Sequence, residues 1–145
     1  MPAATITQAV LARFDDASLT DFEDSGGLWL DEIPTGKDLP FICFTMADES
    51  TEYTTEREYY ERGGFDFYLF AVTPAEAERL ALLVKAAFDV CIRSPGTLTA
   101  SNLKCIEWER TGYKVQVATF EDQVQRQIGL ATFSYRYTVQ RTLAA

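Results

Sequence analysis

Residues 65–77 read Phe65-Asp66-Phe67-Tyr68-Leu69-Phe70-Ala71-Val72-Thr73-Pro74-Ala75-Glu76-Ala77, and the fold class turns on them. Up to Val72 the side chains alternate, with Phe65, Phe67, Leu69 and Ala71 on one face and Asp66, Tyr68, Phe70 and Val72 on the other. Both faces are largely apolar, the mark of a central strand rather than an edge one. At Thr73 the period changes. Threonine can accept from the backbone as an N-cap, proline suits the first helical position, and Glu76, three residues after the cap, completes a capping box. Ala77, Leu80, Ala81, Val84, Ala87, Phe88 and Cys91 then form one apolar stripe. The helix is predicted to run to about Arg93, where Ser94-Pro95-Gly96 ends it. A strand that passes straight into such a helix lays the stripe across its own sheet.

Working outward, Gly63-Gly64 predicts a bulge or kink in the run from Arg57 to Val72. Pro40 opens a strand at Phe41–Met46, and Gly26-Gly27 precedes Leu28-Trp29-Leu30, a short strand or an anchor on the core. Residues 5–14 are predicted as a helix on Ile6, Ala9, Val10 and Phe14, with Thr5 as its cap and turn formers from Asp15 to Thr20. The polar segment Ala47–Glu56 reads as a loop or a solvated strand extension. Downstream, Leu103–Trp108 and Tyr113–Val117 read as two strands parted by a polar piece around Gly112. Residues 121–127 read as a polar connection, and Gly129 to Arg141 as a long alternating strand. The expected fold is α+β: one domain over residues 1–145, with a mixed or mainly antiparallel sheet of about four to five strands and two helices packed on one face.

The composition suits a globular domain. The chain has 145 residues, 47% hydrophobic and 24% charged, enough to build a sizeable core. No apolar run approaches the roughly 20 residues of a membrane-spanning helix. The start, MPAATITQAV, lacks the basic region and apolar run of a secretory signal, so the expectation is folding in the cytoplasm. The formal charge is −9, and it is uneven: up to Glu58 there are three basic and 13 acidic residues, whereas the remainder is close to balanced. Such a chain is repelled by a phosphate backbone, which argues against tight non-specific nucleic-acid binding.

The search for chemistry finds little. There is no histidine, which removes the commonest general base and metal ligand together. Cys43, Cys91 and Cys105 are odd in number, scattered and set among apolar neighbours, as buried thiols in a reducing compartment would be. The carboxylate pairs Asp15/Asp16, Asp31/Glu32 and Glu107/Glu109 lie in no metal or glycosidase pattern. The Gly-Gly pairs lack the lysine and spacing of a phosphate loop. The expectation is a protein that is not an enzyme, with no catalytic residue, cofactor or metal.

The order of elements, with Leu39–Phe44, the Phe65–Ala77 strand-to-helix passage, Trp108-Glu109-Arg110 and Thr132–Val139, resembles the tail-terminator (tail-completion, head-to-tail joining) proteins of long-tailed bacteriophages. The resemblance covers most of the chain. It implies a structural virion protein, assembled in the host bacterial cytoplasm, that caps the tail tube as a hexameric ring. Its implied partners are copies of itself, the tail tube protein and the head-completion or connector protein. DNA would pass through the ring without specific binding, and no membrane is involved. Two other classes compete: an acidic, non-enzymatic protein-binding adaptor, monomeric or dimeric, and a carboxylate-dependent hydrolase. Large or charged side chains in loop contexts are where partners dock, which selects Trp29, Tyr53, Arg57, Phe120, Glu121 and Gln125 as interface candidates. The segments 47–58 and 118–127 are the corresponding candidate contact loops.

Overall fold

The computed structural model describes residues 5–17, 19–25, 27–30, 39–46, 50–53, 58–100, 103–120 and 126–142. Helix α1 (Ile6–Asp16) starts where the Gln8 N–H donates to Thr5 Oγ1 (3.1 Å). It buries Ile6, Ala9, Val10 and Phe14, the predicted stripe, and runs two residues past the predicted end. A 3-10 turn at Thr20–Ser25 follows and buries Phe22, whose ring lies 5.8 Å from that of Phe14. Gly27, at φ +81°, donates its N–H to the Phe22 carbonyl and turns the chain into strand β1 (Leu28–Leu30). A side chain there would be strained by the left-handed backbone.

The remaining elements are β2 (Phe41–Met46), β3 (Ser50–Tyr53), β4 (Glu58–Ala71), α2 (Pro74–Arg93), a 3-10 turn at Pro95–Thr97, β5 (Thr99–Ala100), β6 (Leu103–Phe120) and β7 (Arg126–Thr142). They form one sheet in the order β1-β2-β4-β7-β6-β5, with β3 also paired to β4. Among the described residues only the β1–β2 pair is parallel. The fold is the expected one: α+β, a mixed and mainly antiparallel sheet, two helices on one face. Strands β1, β2, β4, β7 and β6 make the body, and the short β3 and β5 add to it.

Strand β4 is central, as its two apolar faces require, lying between β2 and β7. Its pairing with β7 is continuous from Glu58 to Ala71. On its other side the partner changes at the glycine pair: Met46 lies opposite Phe65, and Ser50 opposite Arg62. The unbroken register through Gly63 and Gly64 means that β4 carries no inserted residue there, which corrects the predicted bulge. Part of the segment read as a loop or strand extension, Ser50–Tyr53, is therefore strand.

The C-terminal reading needs a correction. Leu103–Trp108 and Tyr113–Val117 are not two strands; both belong to the 18-residue β6. Register shifts between Cys105 and Glu107 and between Arg110 and Gly112 each insert one extra residue. Each insertion reverses which parity faces the core. This is how Cys105, Trp108 and Val115, at odd spacings, all reach the helix-covered face. The polar piece around Gly112 is the second bulge. The last strand begins at Arg126, inside the predicted 121–127 connection, whose other residues up to Gln125 lie outside the described residues.

The core lies between the sheet and the two helices. Phe67 sits at its centre, with no exposed surface and ring centroids of Phe44, Phe88 and Phe133 at 5.5, 5.2 and 5.2 Å. Helix α2 begins as predicted, with the Glu76 N–H donating to Thr73 Oγ1 (3.2 Å) and Pro74 in the first turn. The guanidinium Nε of Arg13 donates to the Ala87 carbonyl (2.9 Å) and ties α1 to α2.

All three cysteines are buried and free. Burial pushes the Cys43 thiol up from 9.0 to about 11 and the Cys105 thiol up to about 12. A thiol kept neutral by the fold but free to ionise in the unfolded chain stabilises the protein fully below pH 9.0. That contribution is lost as pH rises through the folded-state values. The urea midpoint is therefore expected to fall as pH is raised from 9.0 towards 11, and less steeply in Cys43→Ala. Urea titrations of both proteins across that range check it.

Candidate interaction surface

The register fixes rows that cross the whole sheet. Trp29 lies opposite Cys43, Cys43 opposite Tyr68, Tyr68 opposite Thr132, and Thr132 opposite Lys114. The neighbouring rows run from Leu28 to Val115 and from Leu30 to Tyr113. Tyr53 belongs to the other end, through Tyr59 and Arg141 to Leu103. Phe120 pairs with Arg126, beyond the end of β4 at Ala71.

The interface candidates thus do not converge. Trp29, half-buried on β1, and Tyr53, the last residue of β3, lie on the same side of β4 but at different ends of it. Phe120 closes β6 on the far side and at the end of the sheet opposite Tyr53. Tyr53 and Phe120 are strand residues, which corrects their assignment to loops. Arg57, Glu121 and Gln125 lie outside the described residues.

A feature not chosen from the sequence is the outer edge of β6. Among the described residues its only strand partner there is β5, at Leu103 and Lys104. Past the second bulge, Gly112–Phe120 pairs regularly with β7 on the inside and, among the described residues, has no strand partner outside. That stretch holds one charged residue, Lys114, and Val117 on it is 56% exposed. Its richness in Tyr, Val, Thr and Phe was legible, but nothing local says that a strand is the last in its sheet.

Polar contacts hold this strand against α2. Tyr135 is buried, and its hydroxyl donates to Asp89 Oδ1 (2.7 Å), which also lies 3.3 Å from the Arg110 Nε. Burial and the adjacent carboxylate push the Tyr135 phenol well above the usual tyrosine range. The Lys85 ammonium lies 3.6 Å from the centroid of the Tyr113 ring. Its pKa is lowered by burial first and by Arg110 second, with Asp89 and Glu78 opposing. The bulge at Arg110/Gly112 puts Arg110 and Tyr113 both on the helix side, where this cluster forms. Tyr135→Phe is expected to cost about 1 kcal/mol, below the usual range for a charged hydrogen bond because Asp89 keeps Arg110 and partial access to water. A lowered urea midpoint at unchanged slope checks this.

The sheet face away from the helices carries smaller pairs. The Ser134 hydroxyl donates to Asp66 Oδ1 (2.6 Å), and Arg136 meets Glu109 at 2.8 Å with both side chains more than half exposed. An ion pair that open contributes about 0–1 kcal/mol. On the outside of α2, Leu82 and Val90, one turn either side of Ala86, form an exposed apolar ridge. Among the described residues no three Cys, Asp or Glu side chains gather as a metal site requires, and no helix is long and apolar enough to cross a membrane. No protein-family model matches the chain, and no curated protein matches its sequence.

Proposed function

We propose that this protein is a structural subunit that caps the tail tube of a long-tailed bacteriophage as a ring of identical copies, six in the family it resembles. The ring joins the tube to the head-completion proteins at the head-proximal end of the tail, and DNA passes through it. The observation that carries the reading is the outer edge of β6, where the bulge-free segment Gly112–Phe120 has no strand partner among the described residues. An unpaired edge of low charge is a template for another strand, and closed symmetry satisfies such edges without leaving one to grow. The charge agrees with this role. At −9 per chain, six copies carry roughly 54 negative charges, a surface that phosphate slides past rather than sticks to. In this reading the protein works through shape and contact, without catalysis.

Size-exclusion chromatography with light scattering tests it. The expected mass at high subunit concentration is about 98 kDa, six times 16.3 kDa, with rings visible by negative-stain electron microscopy. Added salt is expected to favour the ring, because it screens repulsion between copies of like net charge. A 16.3 kDa species at every concentration and salt, free or mixed with phage tail tubes, would overturn the proposal and favour the acidic adaptor.

A further inference from the structure

We infer that copies of this chain join head to tail through their sheets, the Gly112–Phe120 edge of β6 in one copy adding to the β1 edge of the next. The inference rests on the ring reading and specifies its contact.

Three observations carry it. First, the two edges lie in the same rows: the three rows that begin at Leu28, Trp29 and Leu30 end at Val115, Lys114 and Tyr113. A neighbour in the same orientation therefore meets β6 with β1 level, with no shift along the strands. Second, the directions match. Strand β1 is parallel to β2, and three successive antiparallel pairings through β4 and β7 leave β6 running opposite to β1. Same-orientation copies thus form an antiparallel pair at the contact, the better-satisfied ladder.

Third, the edges are unlike in charge. Strand β6 carries Lys104, Arg110 and Lys114 against Glu107 and Glu109, a slight positive excess, and only Lys114 lies in the bulge-free part. Strand β1 is uncharged. The sheet thus has an uncharged strand at one edge and a slightly basic strand at the other. Pairing β6 with β6 across a two-fold axis would bring two copies of Lys114 into one contact, whereas β1 brings no charge of its own. A contact between unlike surfaces is heterologous and closes only as a ring.

Leu30 and Val117 are both exposed, so each tolerates a cysteine without unfolding, and the native thiols are buried. Level rows set Leu30 against Tyr113, four residues along β6 from Val117, so the test treats Leu30→Cys, Val117→Cys, their equimolar mixture and the double variant with a bismaleimide that spans about 15 Å, at a concentration where the wild type assembles. The expected result is no product from either single variant, a dimer from the mixture, and a ladder reaching the hexamer from the double variant. Val117→Lys, which puts a second cation on the edge, is expected to run at 16.3 kDa with an unchanged circular dichroism spectrum. A dimer from Val117→Cys alone would overturn the inference in favour of a two-fold β6–β6 contact. Full assembly of Val117→Lys, or no ladder from the double variant, would overturn it while leaving the ring reading standing. A wild type that stays at 16.3 kDa under all conditions would sink both.

Discussion

Phe67→Ala is expected to destabilise the protein by about 3–5 kcal/mol, the range for deleting a large aromatic side chain from a core. The site gives little room for relaxation. Phe67 is fully buried on the central strand, stacked on Phe133 with the ring planes 2° apart and on Phe44 at 16°. Tyr135 meets it edge-on at 88°, and Phe88 reaches down from α2 to 5.2 Å. Removing the ring opens a cavity whose walls come from β2, β4, β7 and α2 together, so no single side chain can move in to fill it. Domains of this kind are stable by about 5–15 kcal/mol in all, so the variant would keep a minor part of its stability. Urea unfolding followed by tryptophan fluorescence measures the loss. A change under about 1 kcal/mol would contradict the packing described.

Gly129→Ala is expected to cost about 3 kcal/mol or slightly more, at the upper end of overpacking effects, although it adds one methyl group. A Cβ at Gly129 would fall 2.2 Å from the Thr73 carbonyl oxygen, 2.4 Å from its carbon and 2.5 Å from the Pro74 nitrogen. All three are backbone atoms at the start of α2. The same Thr73 oxygen accepts the Ala77 N–H (3.0 Å), so moving it aside breaks the first helical hydrogen bond. Gly129 is itself held in the ladder between Ala71 and Val117. The glycine is needed for close approach, not for an unusual backbone angle. Gly96→Ala and Gly112→Ala, whose added Cβ would meet nothing within 4 Å, are the controls and are expected to unfold near the wild-type midpoint. Equal destabilisation of Gly112→Ala and Gly129→Ala would remove the close-approach explanation.

The two predictions differ in how far the sequence foretells them. Phe67 as a core residue follows from the alternation of residues 65–72, because period two on a two-faced strand leaves it nowhere else to go. Gly129 reads only as the start of an alternating run. Its constraint comes from the Thr73 carbonyl, 56 positions earlier, and no local pattern encodes a contact of that separation. Strand β6 fails for a related reason. Its alternation breaks twice, and a broken phase looks like a chain break until the partner β7 is seen running unbroken beside it. The interface candidates fared similarly. Trp29 lies in the edge strand β1, whereas Tyr53 and Phe120 end strands that extend into polar sequence, where pairing with β4 and β7 rather than a local pattern sets the strand's length.

By itself the sequence determined the fold class, the boundaries of α2, the central place of β4 and the apolar faces of both helices. Each follows from periodicity, capping and turn chemistry acting within a few residues. It also determined the net charge and its concentration before Glu58. Only the tertiary structure decided which strands lie at the edges and that Leu28–Leu30 and Tyr113–Val115 share rows. Hydrogen-bonded pairing joins residues far apart in the chain, and the order in which strands pair is set by the packing of the whole core.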